Sequence, residues 1–162
     1  MKVQEIQVGR TYHDGKAGLR KVVARDGSPL KVRYVILAAK VEREMDQNYE
    51  YVSVIGQESA CDLESFARWA KSGYDDAQAQ GLLVSLQAAK IKLSPGEAAF
   101  MASALKEAEG KALAAGSTVS YNHTEGRAVS GLEKKGMLRR VSSSEVEVLA
   151  HGAARLAAMA VS

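Results

Sequence analysis

Thr124–Val141, TEGRAVSGLEKKGMLRRV, followed by Glu145–Ala157, EVEVLAHGAARLA, is the stretch whose reading decides the fold. A helix from Thr124 to Lys135 gathers Ala128, Val129 and Leu132 on one side and leaves Arg127, Ser130 or Gly131, and Lys134 on the other. Gly136 is placed to end it in a left-handed cap. Met137–Val141 then reads as a strand, Ser142-Ser143-Ser144 as a turn, and Glu145–Ala150 as the returning strand, before a last helix from Gly152. Helix, glycine stop, basic hairpin and closing helix is the order this stretch predicts.

Upstream, Ser94-Pro95-Gly96-Glu97 has the form of a capping box with proline at the first helical position. The helix it opens should run through Ala98, Met101, Ala102 and Leu105, with a break near Gly110 before Lys111–Ala115. Gly116–His123 is strand-like or irregular. Tyr74–Lys92 carries acids at its start and bases at its end, the polarity of a connecting helix. The first seventy residues follow a different period. Leu19–Arg25 and Lys31–Ala39 flank Asp26-Gly27-Ser28-Pro29 and predict a hairpin, while Val3–Val8 and Tyr49–Ile55 add shorter strands. Asp62–Lys71 then returns to helical spacing, with Phe66 and Trp69 read as core and Gly73 as the stop. The fold class expected is α+β, with residues 1–73 as a small SH3-like β-barrel and its closing helix, 74–93 as a connecting helix, and 94–162 as a second, helical domain. Tyr12, Tyr34, Tyr49 and Tyr51 stay open between core and ligand contact.

The chain has 162 residues with 46% hydrophobic and 25% charged side chains, enough for one ordinary domain or two small ones and too apolar for wholesale disorder. Its formal charge is only +3, but the distribution is uneven. Residues 1–40 hold nine bases against three acids, 41–64 hold seven acids against Arg43, and 127–140 hold five bases against Glu133. Basic segments of this kind meet anionic polymers or are neutralised across the fold. Cys61 is the one cysteine, so no intramolecular disulfide forms. With no signal peptide or membrane span expected, the location expected is cytoplasmic, with no membrane partner.

Arg127, Val129, Leu132, Glu133, Lys134, Lys135, Gly136, Met137, Leu138 and Arg140, followed by Val148, Leu149, Gly152 and Leu156, resemble the recognition helix and wing of winged helix-turn-helix proteins, particularly the MarR-like regulators. The resemblance covers about the last third of the chain. It implies a winged helix-turn-helix domain over 94–162, with Lys111–Ala115 as the supporting helix. Two departures stand out: Ala150 replaces the threonine usual in that pattern, and the long terminal dimerisation helices of the family are missing. In the first domain, Gly9, Tyr12, Arg20, Tyr34, Cys61, Phe66 and Trp69 resemble small barrel domains of uncharacterised bacterial and bacteriophage proteins, which implies no activity.

No catalytic constellation is legible. His13, His123 and His151 lie far apart, so no metal site is expected. Asp62 and Glu64 oppose thiolate formation at Cys61, and the glycines at 9, 15 and 18 do not open a helix after a strand. The expectation is a non-enzymatic protein without cofactor.

The function expected is binding of double-stranded DNA by a small transcriptional regulator. Arg127, Ser130 and Lys134 would approach base edges or phosphates, Lys135, Arg139 and Arg140 the backbone, and Asn122, His123 and Thr124 a phosphate at the helix N-terminus. The alternative is a protein-interaction module, a non-enzymatic adaptor or inhibitor of bacteriophage or mobile-element origin, in which the winged helix is a scaffold and the barrel or the acidic 41–64 segment grips a protein partner. A homodimer is a further expectation, its interface drawn from the apolar faces of 74–92 or 152–161.

Overall fold

The computed structural model describes residues 1–27, 30–111 and 113–161. The chain is α+β and divides into two compact units, Met1–Leu83 and Val84–Ser162.

The first unit is built on β1 (Thr11–His13), β2 (Leu19–Asp26), β3 (Lys31–Ala38), the ribbon strands β4 (Arg43–Met45) and β5 (Tyr51–Ser53), β6 (Glu58–Asp62), helix α1 (Leu63–Trp69) and β7 (Ser72–Tyr74). The expected hairpin forms as β2 and β3, which pair antiparallel from Leu19↔Ala38 to Asp26↔Lys31, with register shifts that add twist. Its Gly27 has φ 87, while Ser28 and Pro29 of the expected turn lie outside the described residues. The main sheet is antiparallel in the order β6-β3-β2-β1-β7, and β4 and β5 form a separate two-stranded sheet.

Among the described residues no barrel closes, which corrects the SH3-like expectation. The physical reason is α1. Phe66, Ala67 and Leu63 cover Tyr12, Val22, Val32 and Tyr34 of the sheet, so the helix buries the face that closure would otherwise have to bury. Val3–Val8 is no strand either; Val3–Glu5 forms a 3-10 turn, drawn in by the Lys2 N–H donating to Glu5 Oε2 at 2.6 Å, and Ile6 is buried. Helix α1 ends at Trp69 with Ala70 as its cap, and Gly73 lies in β7 opposite Tyr12. A Cβ on Gly73 would stand 3.0 Å from the Tyr12 ring, so the glycine serves the close approach of that ring.

Tyr12 and Tyr34 are core residues, and the Tyr12 hydroxyl donates to the Glu5 carbonyl at 2.8 Å. Arg20 is stacked on aromatic faces, its guanidinium 4.2 Å from the Trp69 ring and 4.6 Å from the Tyr34 ring. Arg20→Ala should lower the stability of this unit by about 1 kcal/mol through loss of that stacking. Urea denaturation followed by Trp69 fluorescence checks it; an unchanged midpoint would show that the stacking contributes nothing.

Helix α2 (Asp76–Lys90) carries the chain into the second unit, which continues with α3 (Pro95–Glu107), β8 (Thr118–Ser120), α4 (Gly126–Lys134), β9 (Leu138–Arg140), β10 (Glu145–Val148) and α5 (Ala150–Ala160). The Ser94 capping box forms as the sequence predicts. The described residues of Lys111–Ala115 are not helical, so no supporting helix arises there, and a 3-10 turn, His123–Glu125, precedes α4. The strands form a three-stranded sheet in the order β8-β10-β9. Phe100, Met101 and Ala104 of α3, Val129 and Leu132 of α4, Leu138, Val146 and Val148 of the sheet, and Leu156 of α5 close one core.

Candidate nucleic-acid interface

Helix α4 stops where the sequence says it should. Gly136 has φ 68; its N–H donates to Glu133 O at 3.0 Å, and the Met137 N–H donates to Leu132 O at 3.0 Å. That pair of bonds satisfies two terminal carbonyls and sends the chain directly into β9. Arg139 faces Glu147 across the β9–β10 pair, and Val146 faces Arg140. The basic hairpin is thereby fixed beside the helix that precedes it.

The nine residues singled out by the sequence lie on α4, its approach, its C-terminal cap Lys135 or β9, but they do different work. Asn122 caps the approach: its Oδ1 accepts from the Thr124 N–H at 2.9 Å, the Thr124 hydroxyl at 2.5 Å and the Glu125 N–H at 3.2 Å. The Thr124 N–H and hydroxyl, two of the donors expected to meet a phosphate, are therefore already satisfied within the protein. His123 is exposed on the same turn. The Ser130 hydroxyl donates to Gly126 O at 2.8 Å and accepts from Arg140 Nη2 at 2.7 Å.

Three of the five cations are paired with carboxylates. Arg140 Nη1 donates to Glu133 Oε2 at 2.8 Å, its Nη2 also reaches Gly126 O, and its Nε reaches the Tyr121 hydroxyl at 3.2 Å, so this side chain clamps α4 to the hairpin. Arg139 pairs with Glu147 across the strands. Lys135 reaches inward, donating to Glu97 Oε2 at 2.5 Å and to Lys92 O at 2.8 Å. Glu97 is 5% exposed. The Lys135 ammonium beside it, joined by the Ser94 N–H, holds its carboxyl below the usual carboxylate range against the opposing effect of burial.

Arg127 and Lys134 differ from these three. Both are exposed, and neither has a hydrogen bond or ion pair among the described residues. Seven residues apart on α4, they share a face about 10 Å apart along the axis. Both border an open cleft of about 650 Å³ between α3 and α4, floored by Ala99, Phe100 and Ala128. Small residues keep that cleft narrow at Gly131, where a Cβ would overlap Glu97 Oε1 at 2.1 Å.

In the first unit four of the nine basic residues of 1–40 are engaged through their side chains, Arg20 on its two aromatic rings and the other three as ion pairs or hydrogen bonds. Lys21 pairs with Asp76 at 2.8 Å, Arg33 with Asp26 and Glu58, and Arg25 donates to Ile6 O at 2.7 Å. The Cys61 thiol lies in β6, and burial pushes its pKa up. Among the described residues no cluster of His, Cys, Asp or Glu is arranged to hold a metal ion, and no helix is long and apolar enough to cross a membrane.

Sequence reasoning missed Glu97 as the partner of Lys135, because the two are 38 positions apart and the capping role of Glu97 accounts for its presence by itself. The Arg139–Glu147 pair was within reach, since a hairpin turning at Ser142–Ser144 places those two positions opposite each other. Compared with protein families, curated proteins and solved structures, the chain matches none.

Proposed function

We propose that the Val84–Ser162 unit is a winged helix that binds duplex DNA through the exposed face of α4, as a small transcriptional regulator. The observation that carries this reading is the pair Arg127 and Lys134: two cations on one face of a short helix, with no carboxylate partner among the described residues, next to a basic β-hairpin. A helix of these proportions fits the major groove, and unpaired guanidinium and ammonium groups are the donors that phosphates and guanine edges accept. Arg139 adds to the contact, because its pair with Glu147 is largely solvent-exposed on the arginine side and exchanges for a phosphate at little cost. Lys135 and Arg140 hold the reader in shape, with Ser130 and Asn122, and contribute to binding through that rigidity.

The proposed interface predicts weak, strongly salt-dependent binding. Changing Arg127 and Lys134 together to alanine should lower affinity for random duplex DNA and flatten the slope of log affinity against log salt by about two, one for each phosphate left without its cation. Fluorescence anisotropy over a salt series checks this, with far-UV circular dichroism confirming an unchanged fold. Equal affinity and slope in parent and double variant would remove α4 as the reader.

A further inference from the structure

The β4–β5 ribbon carries an unsatisfied surface. Of the large apolar side chains left exposed by the described residues, Val41, Met45, Tyr49, Tyr51 and Ile55 all fall within this one segment, with Tyr49 84% and Tyr51 60% exposed. Period-2 alternation puts Met45 and Tyr51 directly opposite each other on one face, together with Arg43 and Ser53. Tyr49 has φ 63, a left-handed conformation that costs a bulky residue energy, and its ring stacks on no other ring among the described residues.

The opposite face is acidic. Glu44 and Glu50 point that way, while Arg43 stands on the Met45–Tyr51 face, its guanidinium donating to Tyr51 O. Its backbone is also half-used. Val54 N–H donates to Glu42 O and Asp46 N–H to Glu50 O, so the alternation of an antiparallel ladder turns the N–H and C=O of Arg43 and Met45 away from β5. Along β5 the outward carbonyls are taken by side chains, Tyr51 O by Arg43 and Ser53 O by Gln57. No further strand pairs with β4 among the described residues.

We infer that the outer edge of β4 is a docking site for an extended segment of a basic partner protein, added as a third antiparallel or parallel strand whose apolar side chains lie on the Met45–Tyr51 face and whose lysines or arginines lie on the Glu44–Glu50 face. The ladder supplies main-chain hydrogen bonds, and the alternation of the ribbon sets the alternation of its occupant. The carboxylates decide against the other occupants. They repel nucleic acid, and they repel a second β4 edge, as charges on edge strands generally do, so the surface selects a basic strand over another copy of itself.

The test uses the full chain and a labelled probe peptide of about a dozen residues alternating lysine with valine, with a glutamate–valine peptide as control. In fluorescence anisotropy the lysine peptide should bind and the glutamate peptide should not. Met45→Pro removes the outward N–H without touching a ladder bond to β5, and should weaken binding at least about tenfold. Glu44→Gln with Glu50→Gln, which leaves the backbone edge intact, should weaken it comparably and remove most of its salt dependence. The inference is overturned if the parent does not bind the lysine peptide, or if both variants bind it as the parent does. It is overturned also if sedimentation shows a dimer that Met45→Pro disperses, since the occupant is then a second copy.

Discussion

Gly152→Ala is expected to destabilise the Val84–Ser162 unit by about 3 kcal/mol, although alanine is the better helix former. Gly152 sits in the first turn of α5, where a Cβ would lie 2.2 Å from Met137 O and 3.1 Å from the carbonyl carbon. Both atoms are backbone, and Met137 O also accepts the Leu149 N–H at 2.9 Å, so neither can move aside without breaking the junction between α4 and α5. Nothing on the surface of the helix would reveal this, because the constraint comes from chain fifteen residues earlier. Hydrogen exchange at the Val146 and Val148 amides checks the expectation. Protection equal to that of the parent would show that the junction yields.

Lys135→Met should cost about as much, about 3 kcal/mol at neutral pH, for a different reason. It leaves the Glu97 carboxylate buried with the Ser94 N–H as its remaining strong partner. The difference between the two proteins should also depend on pH. In the parent, the folded-state pKa of Glu97 lies below its unfolded value, so the stabilisation is present above the ordinary glutamate range and is lost as pH falls through the folded value. In the variant the ammonium that lowers it is gone, so the folded-state carboxyl titrates higher than in the parent and the deficit against the parent narrows on acidification. Thermal denaturation of both proteins from about pH 7 to about pH 3 measures the difference. A deficit that stays constant over that range would mean that Lys135 contributes packing and no charge to Glu97.

These two positions mark where the sequence stops being legible. The capping box at Ser94, the glycine turn at Gly136 and the β2–β3 hairpin are local devices, written within a few residues of where they act, and each forms where its pattern predicts. The edges of the main sheet are another matter. β6 pairs Cys61 with Val32, and β7 pairs Gly73 with Tyr12. Both strands are short, flank a helix and draw their hydrogen bonds from distant chain, so a helix start at Asp62 and a glycine stop at Gly73 are equally good local readings. The barrel expectation failed for a related reason: a period of two says that a strand has one buried face, and leaves unsaid whether a helix or another strand covers it.

In the candidate interface, sequence placed the basic residues on the right elements and could not say which of them are spent internally. Lys134 and Lys135 are neighbours of the same type. One is exposed and unpaired among the described residues, the other holds a buried carboxylate, and a rotation of one residue on α4 separates the two fates. The same holds for Arg139 and Arg140, where strand alternation aims one at Glu147 and the other at Glu133 and Tyr121.

The measurement that tests the proposed function most directly is an amide NMR titration of the full chain with a random duplex at low salt. The α4 reading predicts that the largest shifts fall on the Arg127–Lys134 face and on Arg139, that they saturate together, and that the β4–β5 ribbon stays unmoved. Shifts that are absent from α4 throughout the titration, or confined to the first unit, would contradict it.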